Sequence, residues 1–262
     1  MAFARQPTLF VSHGPPALAL WDVPASRFLR ELGASLAKPR AIVCVSAHFE
    51  AVRPMTTGAE VPSTIHDFGP SPRLQALSYP APGNPDLAHA VRDLVAARGY
   101  DARVEPRRGL DHGCWAPLLL MFPEADIPVV QLSIQAEREP QHHFDLGEAI
   151  APLRDEDVLI MGSGNATHDL DSASDHGRDD PPEDYAEAFD AWLERMVSHG
   201  GTDELLDWER LAPEARRNHP WPSEHFLPIF PPLGAAGHGA KGRLLHRSFL
   251  YGVLSMAAYI WE

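Results

Sequence analysis

Two apolar runs, Pro7-Thr8-Leu9-Phe10-Val11 and Ala41-Ile42-Val43-Cys44-Val45, each pass directly into a polar motif that carries a histidine. The motifs are Ser12-His13-Gly14-Pro15 and Ser46-Ala47-His48-Phe49-Glu50. Short runs rich in β-branched and aromatic residues form buried strands, so each histidine falls where a strand ends. Between the runs, residues 26–37 carry Phe28, Leu29, Leu32 and Leu36 at helical spacing and stop ahead of Pro39, which disfavours helix in the position before it. Strand, helix and strand in this order predict a βαβ unit with parallel strands and a right-handed crossover. Open α/β sheets bind ligands outside the carboxyl ends of their strands. Two histidines delivered there by separate strands, joined by a third in Glu224-His225-Phe226, predict a metal site.

The alternation continues down the chain. Helical periodicity marks residues 85–98, 144–153 and 182–198, and buried-strand runs mark 102–105, 127–134 and 158–165. Leu110-Asp111-His112-Gly113-Cys114-Trp115 leads into an apolar helical run that ends at Phe122. Residues 51–85 break the pattern with many Pro and Gly, a long ordered excursion of the kind usually kept for function. Residues 172–182 form an acidic loop, 202–218 are weakly helical, and 226–236 contain Pro228, Pro231 and Pro232, so any helix there is short or broken. Two β-like runs, 244–251 and 253–260, close the chain. The expected fold is α/β: a single three-layer αβα catalytic domain, residues 1–262, around a mostly parallel central sheet with the metal site at the carboxyl edge of the strands.

Composition narrows the function. A formal charge of −14, with 22 basic residues dispersed along the chain, argues against nucleic acid or an anionic membrane as partner. No stretch is long enough for a membrane span, and the residues ahead of Pro7 show no basic segment followed by an apolar signal core. With only Cys44 and Cys114 a disulfide framework is not expected, and the cytoplasm is the expected location. The 26 prolines are scattered, which suits stiffened loops.

Most of the 14 histidines need no function. His168 is different, because it follows Gly162-Ser163-Gly164-Asn165, a turn whose glycines let backbone approach closely. A tight strand-to-helix turn with an incidental histidine is the plainer alternative. His112 lies at a helix start, where it either belongs to the cap or, near a metal, donates a hydrogen bond or proton. Glu224 and His225 offer two ligands in a proline-stiffened stretch, or an N-cap region. Neither a dinucleotide fingerprint, a P-loop nor a nucleophile elbow is present.

Taken in order, these stretches resemble the extradiol aromatic ring-opening dioxygenases of the 4,5-DOPA dioxygenase type, within the class III group. The matching segments also include Thr64-Ile65-His66-Asp67-Phe68, Tyr79-Pro80-Ala81-Pro82-Gly83, residues 126–133 and Glu224-His225-Phe226-Leu227-Pro228, so the resemblance runs over nearly the whole chain. It implies that His13, His48 and His225 hold the metal, that His168 is the active-site base or a fourth ligand, and that His112 points into the substrate pocket. His66 is implied as a substrate-binding residue in a loop over the site. Two departures stand out. The segment from His219 to His225 has one residue more between its histidines than the family spacing, leaving the third ligand open among His225, Glu224 and His219. Phe49 stands where the family commonly has Trp.

The implied chemistry suits the residues. Non-heme Fe(2+), held by two histidines and a third protein ligand, leaves open positions for a catechol and O2, and Zn(2+) can occupy the same site. His168 would take a proton from the catechol and His112 would supply one during oxygen–oxygen cleavage, giving a ring-opened semialdehyde. A zinc-dependent hydrolase and a non-enzymatic binding protein of the same superfamily are the alternatives. The expected partners are a small aromatic diol and O2; oligomeric state is open, a dimer being one option. Arg73, Arg107 and Arg108 are the cations considered for a substrate carboxylate.

Overall fold

A computed structural model describes residues 5–262. Of the expected plain lead-in before the first strand, residues 1–4 lie outside the described residues. Ten strands are present among the described residues: β1 (Thr8–Ser12), β2 (Ala41–Glu50), β3 (Met55–Thr57), β4 (Arg103–Glu105), β5 (Val129–Ile134), β6 (Val158–Gly164), β7 (Arg243–His246), β8 (Phe249–Leu250), β9 (Leu254–Ser255) and β10 (Ala258–Trp261). Eight form one sheet in the order β4-β3-β5-β2-β6-β1-β10-β7, and β8 pairs with β9 in a separate hairpin. The centre, β5-β2-β6-β1, is all parallel. Antiparallel joints attach the outer strands, β3 to β5 and β10 to β1 and β7. The mostly parallel α/β sheet expected from the alternation is what forms.

Side chains of successive strand residues leave opposite faces of a sheet, and here the two faces bury two cores. Val43, Val45, Ile160 and Phe10 go to one, with Phe144, Phe230 and Trp192. Ile42, Cys44, Leu159, Met161, Leu9 and Val11 go to the other, with Leu29, Trp115 and Leu118. Helices therefore cover both faces, as a three-layer domain requires.

Proline and polar caps fix where the helices begin. Helix Pro24–Ser35 opens two residues earlier than the apolar spacing predicts, because Pro24 takes the first helical position and the Ser26 hydroxyl accepts the Val23 N–H at 3.1 Å. Helix Pro85–Ala97 starts where Asn84 accepts the Leu87 N–H, at 3.0 Å. Helix Pro140–Ile150 likewise begins at a proline, ahead of the expected 144, and Asp184–His199 ends at Gly200 with φ 78°.

β1 and β2 are parallel as expected, with β6 between them. Two expectations of the strands change. Instead of ending at Val45, β2 runs on to Glu50, but its pairing with β6 stops at Ser46 and its register against β5 shifts after Val45. His48 thus lies in the irregular stretch between Val45 and Glu50, before the strand pairs with β5 again at Glu50. The closing runs 244–251 and 253–260 each hold two short strands, β7 and β8 in the first and β9 and β10 in the second, and Tyr251 and Gly252, at φ 54° and 61°, turn the chain between β8 and β9. No helix among the described residues is long and apolar enough to cross a membrane.

Candidate metal centre

Parity along the strands decides what faces the carboxyl edge. His13 follows β1 on the side of Leu9 and Val11, and His48 lies on the side of Ile42 and Cys44. Both therefore meet the start of helix His112–Met121, which packs on that face. Asp111 caps this helix, its carboxylate accepting the Cys114 N–H at 3.2 Å. The same buried carboxylate accepts the Ser46 hydroxyl at 2.6 Å, the Gln131 amide at 2.7 Å and the Arg108 guanidinium at 3.2 Å. One carboxylate thus ties β2, β5 and the helix together. The first turn of the helix has no room for a side chain at Gly113, where a Cβ would lie 2.4 Å from Ser46 Oγ and 2.9 Å from the His48 ring.

From the other face comes the segment carrying His225. A Cβ at Gly162 would lie 1.8 Å from the Pro228 carbonyl oxygen, and one at Gly164 would lie 2.1 Å from that of His225. The close approach expected of this glycine motif is therefore to residues 225–228. Asn165 secures both histidine segments: its N–H donates to the His225 carbonyl at 2.8 Å, and its Oδ1 accepts the Gly14 N–H at 3.1 Å.

Five histidines converge as a result. Ring centroids of His13, His48 and His225 are 4.9 to 5.2 Å apart, with rings tilted 52° to 80° to one another. His112 lies 3.9 Å from His48, and His168 stacks on His225 at 3.5 Å with an 11° tilt. Ligand atoms of His13, His48 and His112 lie within 4.8 Å of one another, as do those of His168, Glu224 and His225, and either group can hold a metal ion. Between His13 Nε2 and His48 Nε2 the distance is 3.2 Å, close to the ~3.3 Å between two nitrogens that share one tetrahedral ion.

Electrostatics suit a cation's ligands. Burial, with the neighbouring histidines, pushes His13 and His225 well below the ordinary imidazole value. Burial first, then His112, brings His48 to about 4; burial and then His48 bring His168 to about 4. These imidazoles are neutral at neutral pH, with lone pairs available for a metal. Carboxylates stand behind two of the five clustered histidines: Glu224 Oε1 is 2.9 Å from His225 Nδ1, and Asp67 Oδ1 is 2.9 Å from His112 Nδ1. Burial raises the Asp67 carboxyl, but its bonds to His112 outweigh this and leave it at about 2.

The remaining candidates separate clearly. The ring of His219 faces away from the cluster into Phe189, Trp208 and Phe226, with Nε2 2.9 Å from the Ala166 carbonyl oxygen. His66 Nε2 meets the Leu77 carbonyl at 3.0 Å, and its ring packs against Phe68 and Trp115. It is Asp67, the next residue, that reaches the histidines; sequence reading passed over it, although it lies inside the matching segment 64–68. Arg108 is committed to Asp111, to the His48 carbonyl at 2.9 Å and to the Phe49 ring at 4.2 Å. Beside His168 and His225 opens a cleft of about 220 Å³, walled by Leu170, Asp171, Trp221 and Pro222.

Across residues 7–260 the chain matches the family model described as the catalytic LigB subunit of aromatic ring-opening dioxygenase. It is 43% identical over 257 residues to the 4,5-DOPA dioxygenase extradiol of Beta vulgaris, covering 96% of this chain and 95% of that protein. Identity to the protein of the same name from Escherichia coli K12 is 39% over 242 residues, covering 90% of this chain and 87% of the relative. An uncharacterized protein of Escherichia coli K12, known from its crystal structure, is similar with a TM-score of 0.83 at 32% identity, covering 98% of this chain and 99% of that one. With a match of this extent, and with a histidine cluster at the carboxyl edge of its sheet, the chain belongs to the family of catalytic LigB subunits of aromatic ring-opening dioxygenases.

Proposed function

We propose that this dioxygenase opens the ring of a DOPA-like catechol beside its hydroxyls, using Fe(2+) held by His13, His48 and His225. The relative tilt of the rings supports this ligand set, and the family resemblance chooses His225 over His112, whose ring is also tilted against His13 and His48. An imidazole lone pair lies in its ring plane, so three rings tilted 52° to 80° can aim at one point. His168 and His225 are stacked nearly parallel at 3.5 Å, so their lone pairs run side by side rather than toward one point, and it is His225 whose ring is also in contact with those of His13 and His48. That favours His225 as ligand and leaves His168 for substrate.

When bound, the iron supplies Lewis acidity toward a catechol hydroxyl and electrons toward O2. The protein's own groups then handle protons and orientation. His168 is neutral and borders the cleft, so a ring nitrogen can take a catechol proton. His112 keeps Nδ1 on Asp67, which leaves Nε2 as the atom that exchanges a proton inside the cluster. Trp221 and Leu170, 65% and 55% exposed, give the cleft an apolar wall for an aromatic ring. The two cysteines are free and buried, in keeping with a reducing cytoplasm.

The test is to purify the protein without oxygen, load Fe(2+) or Zn(2+), and follow O2 uptake and yellow product on a panel of catechols that includes DOPA. Iron-dependent uptake of about one O2 per catechol is the expected result. Tight metal binding with no O2 uptake on any catechol would overturn the reading in favour of hydrolysis or binding.

A further inference from the structure

The proposed ligand His13 is served by a device two elements away. Helix His112–Met121 contains Pro117, which has no N–H to offer the Gly113 carbonyl four residues earlier. That carbonyl is instead taken by the Ser163 hydroxyl in a short hydrogen bond. Strand parity puts Ser163 there: Gly162 and Gly164 face residues 225–228, so the residue between them faces the helix. Ser163 Oγ also lies 3.1 Å from His13 Nδ1.

A hydroxyl has one proton, and a carbonyl only accepts. Since the Ser163 proton is committed to Gly113, its Oγ must accept at His13, and the proton there belongs to Nδ1. We infer that Ser163, with the Gly113 carbonyl freed by Pro117, is a positioning residue that fixes His13 as the Nδ1–H tautomer and presents unprotonated Nε2 to the metal. Outer partners of metal-bound histidines set tautomer and ring orientation in this way. No charge is needed: the chain from His13 to Ser163 to Gly113 is neutral throughout and buried, with Ser163 0% and His13 1% exposed. The inference rests on His13 being a ligand in the proposed function, but the tautomer exists without metal.

The experiment reads that tautomer first. Metal-free protein with ¹⁵N-labelled histidine, at pH 8, is compared as wild type and Ser163→Ala by long-range ¹H–¹⁵N NMR, with His13 assigned from its loss in His13→Gln. Wild type should show His13 protonated at Nδ1 alone, and Ser163→Ala should mix the tautomers. In chelator competition with Zn(2+), Ser163→Ala should lose roughly 10–100-fold in affinity, and Ser163→Thr should recover most of it. Pro117→Ala, which returns a backbone N–H as a competitor for the Gly113 carbonyl, should move both readouts in the same direction by less. An Nε2–H tautomer in wild type, or Ser163→Ala with unchanged tautomer and affinity, overturns the inference. Should Ser163→Ala fail to fold, the wild-type spectrum and Pro117→Ala still decide it. Failure of the catechol assay with the tautomer as expected removes the proposed reaction and leaves the positioning role.

Discussion

Oδ1 of Asp67 sits 2.9 Å from Nδ1 of His112, joining residues 45 positions apart in the chain. It also accepts the His112 backbone N–H at 3.1 Å, and Oδ2 lies 3.7 Å from Nδ1 of His48. Asp67 is thus placed to hold the ring of His112 in one orientation, with Nδ1 directed at the carboxylate. Asp67→Asn keeps the shape and removes the charge. We expect kcat on a reactive catechol to fall by about 10–100-fold, while bound iron per chain, measured after anaerobic loading, stays near the wild-type value. An equal loss of iron would make Asp67 a support of the metal site rather than of His112.

His168 and His225 make opposite predictions although their rings are stacked. His168→Ala should abolish turnover and retain metal; His225→Ala should lose both. Metal content by elemental analysis beside O2 uptake separates the cases. If His168→Ala also loses its metal, His168 is a ligand.

Much of this site was legible because strand, turn and histidine are contiguous in the sequence. His13 and His48 follow apolar runs, and the glycines flanking Ser163 announce a close approach. What the sequence could not show is what arrives there. Asp67 meets His112, Asp111 meets Ser46 and Gln131, and residues 225–228 meet β6 only after the sheet order is set. That order places β6 between β1 and β2, and no periodicity encodes it. The extra residue between His219 and His225 left three ligand candidates, and their separation depends on the aromatic pocket that holds His219. Tyr251, the last residue of an apparent strand, belongs to the turn instead, and a bulky residue at positive φ carries no sequence signal of its own.

Gly164 offers a test of how rigidly the two halves of the centre are joined. An added methyl would meet the His225 carbonyl oxygen at 2.1 Å, and that carbonyl is backbone, already bonded to the Asn165 N–H. Gly164→Ala should therefore displace residues 225–228, cost about 1–3 kcal/mol of stability, and weaken metal binding more than unfolding alone explains. Urea unfolding with a parallel metal titration checks both effects. A stable variant with wild-type affinity would show that the segment shifts freely.

Acid sensitivity should come in part from a histidine far from the metal. His143 is fully buried; its Nε2 accepts the Gln135 N–H at 3.1 Å, and its Nδ1 faces the Glu139 carbonyl at 3.3 Å. Both contacts require the neutral ring protonated at Nδ1, because a second proton at Nε2 would confront a donor. Burial, with His142 beside it, lowers the ring from 6.5 to about 3. Between those values the unfolded chain binds a proton that the folded one refuses, so stability is intact above pH 6.5 and declines as pH falls toward 3. The midpoint of urea unfolding should drop steadily across that window in metal-free protein. His143→Gln keeps a group able to accept the Gln135 N–H and does not titrate. It should start less stable at pH 7.5 yet lose less between pH 6.5 and 4.5, and an unchanged slope would assign the acid sensitivity to other groups.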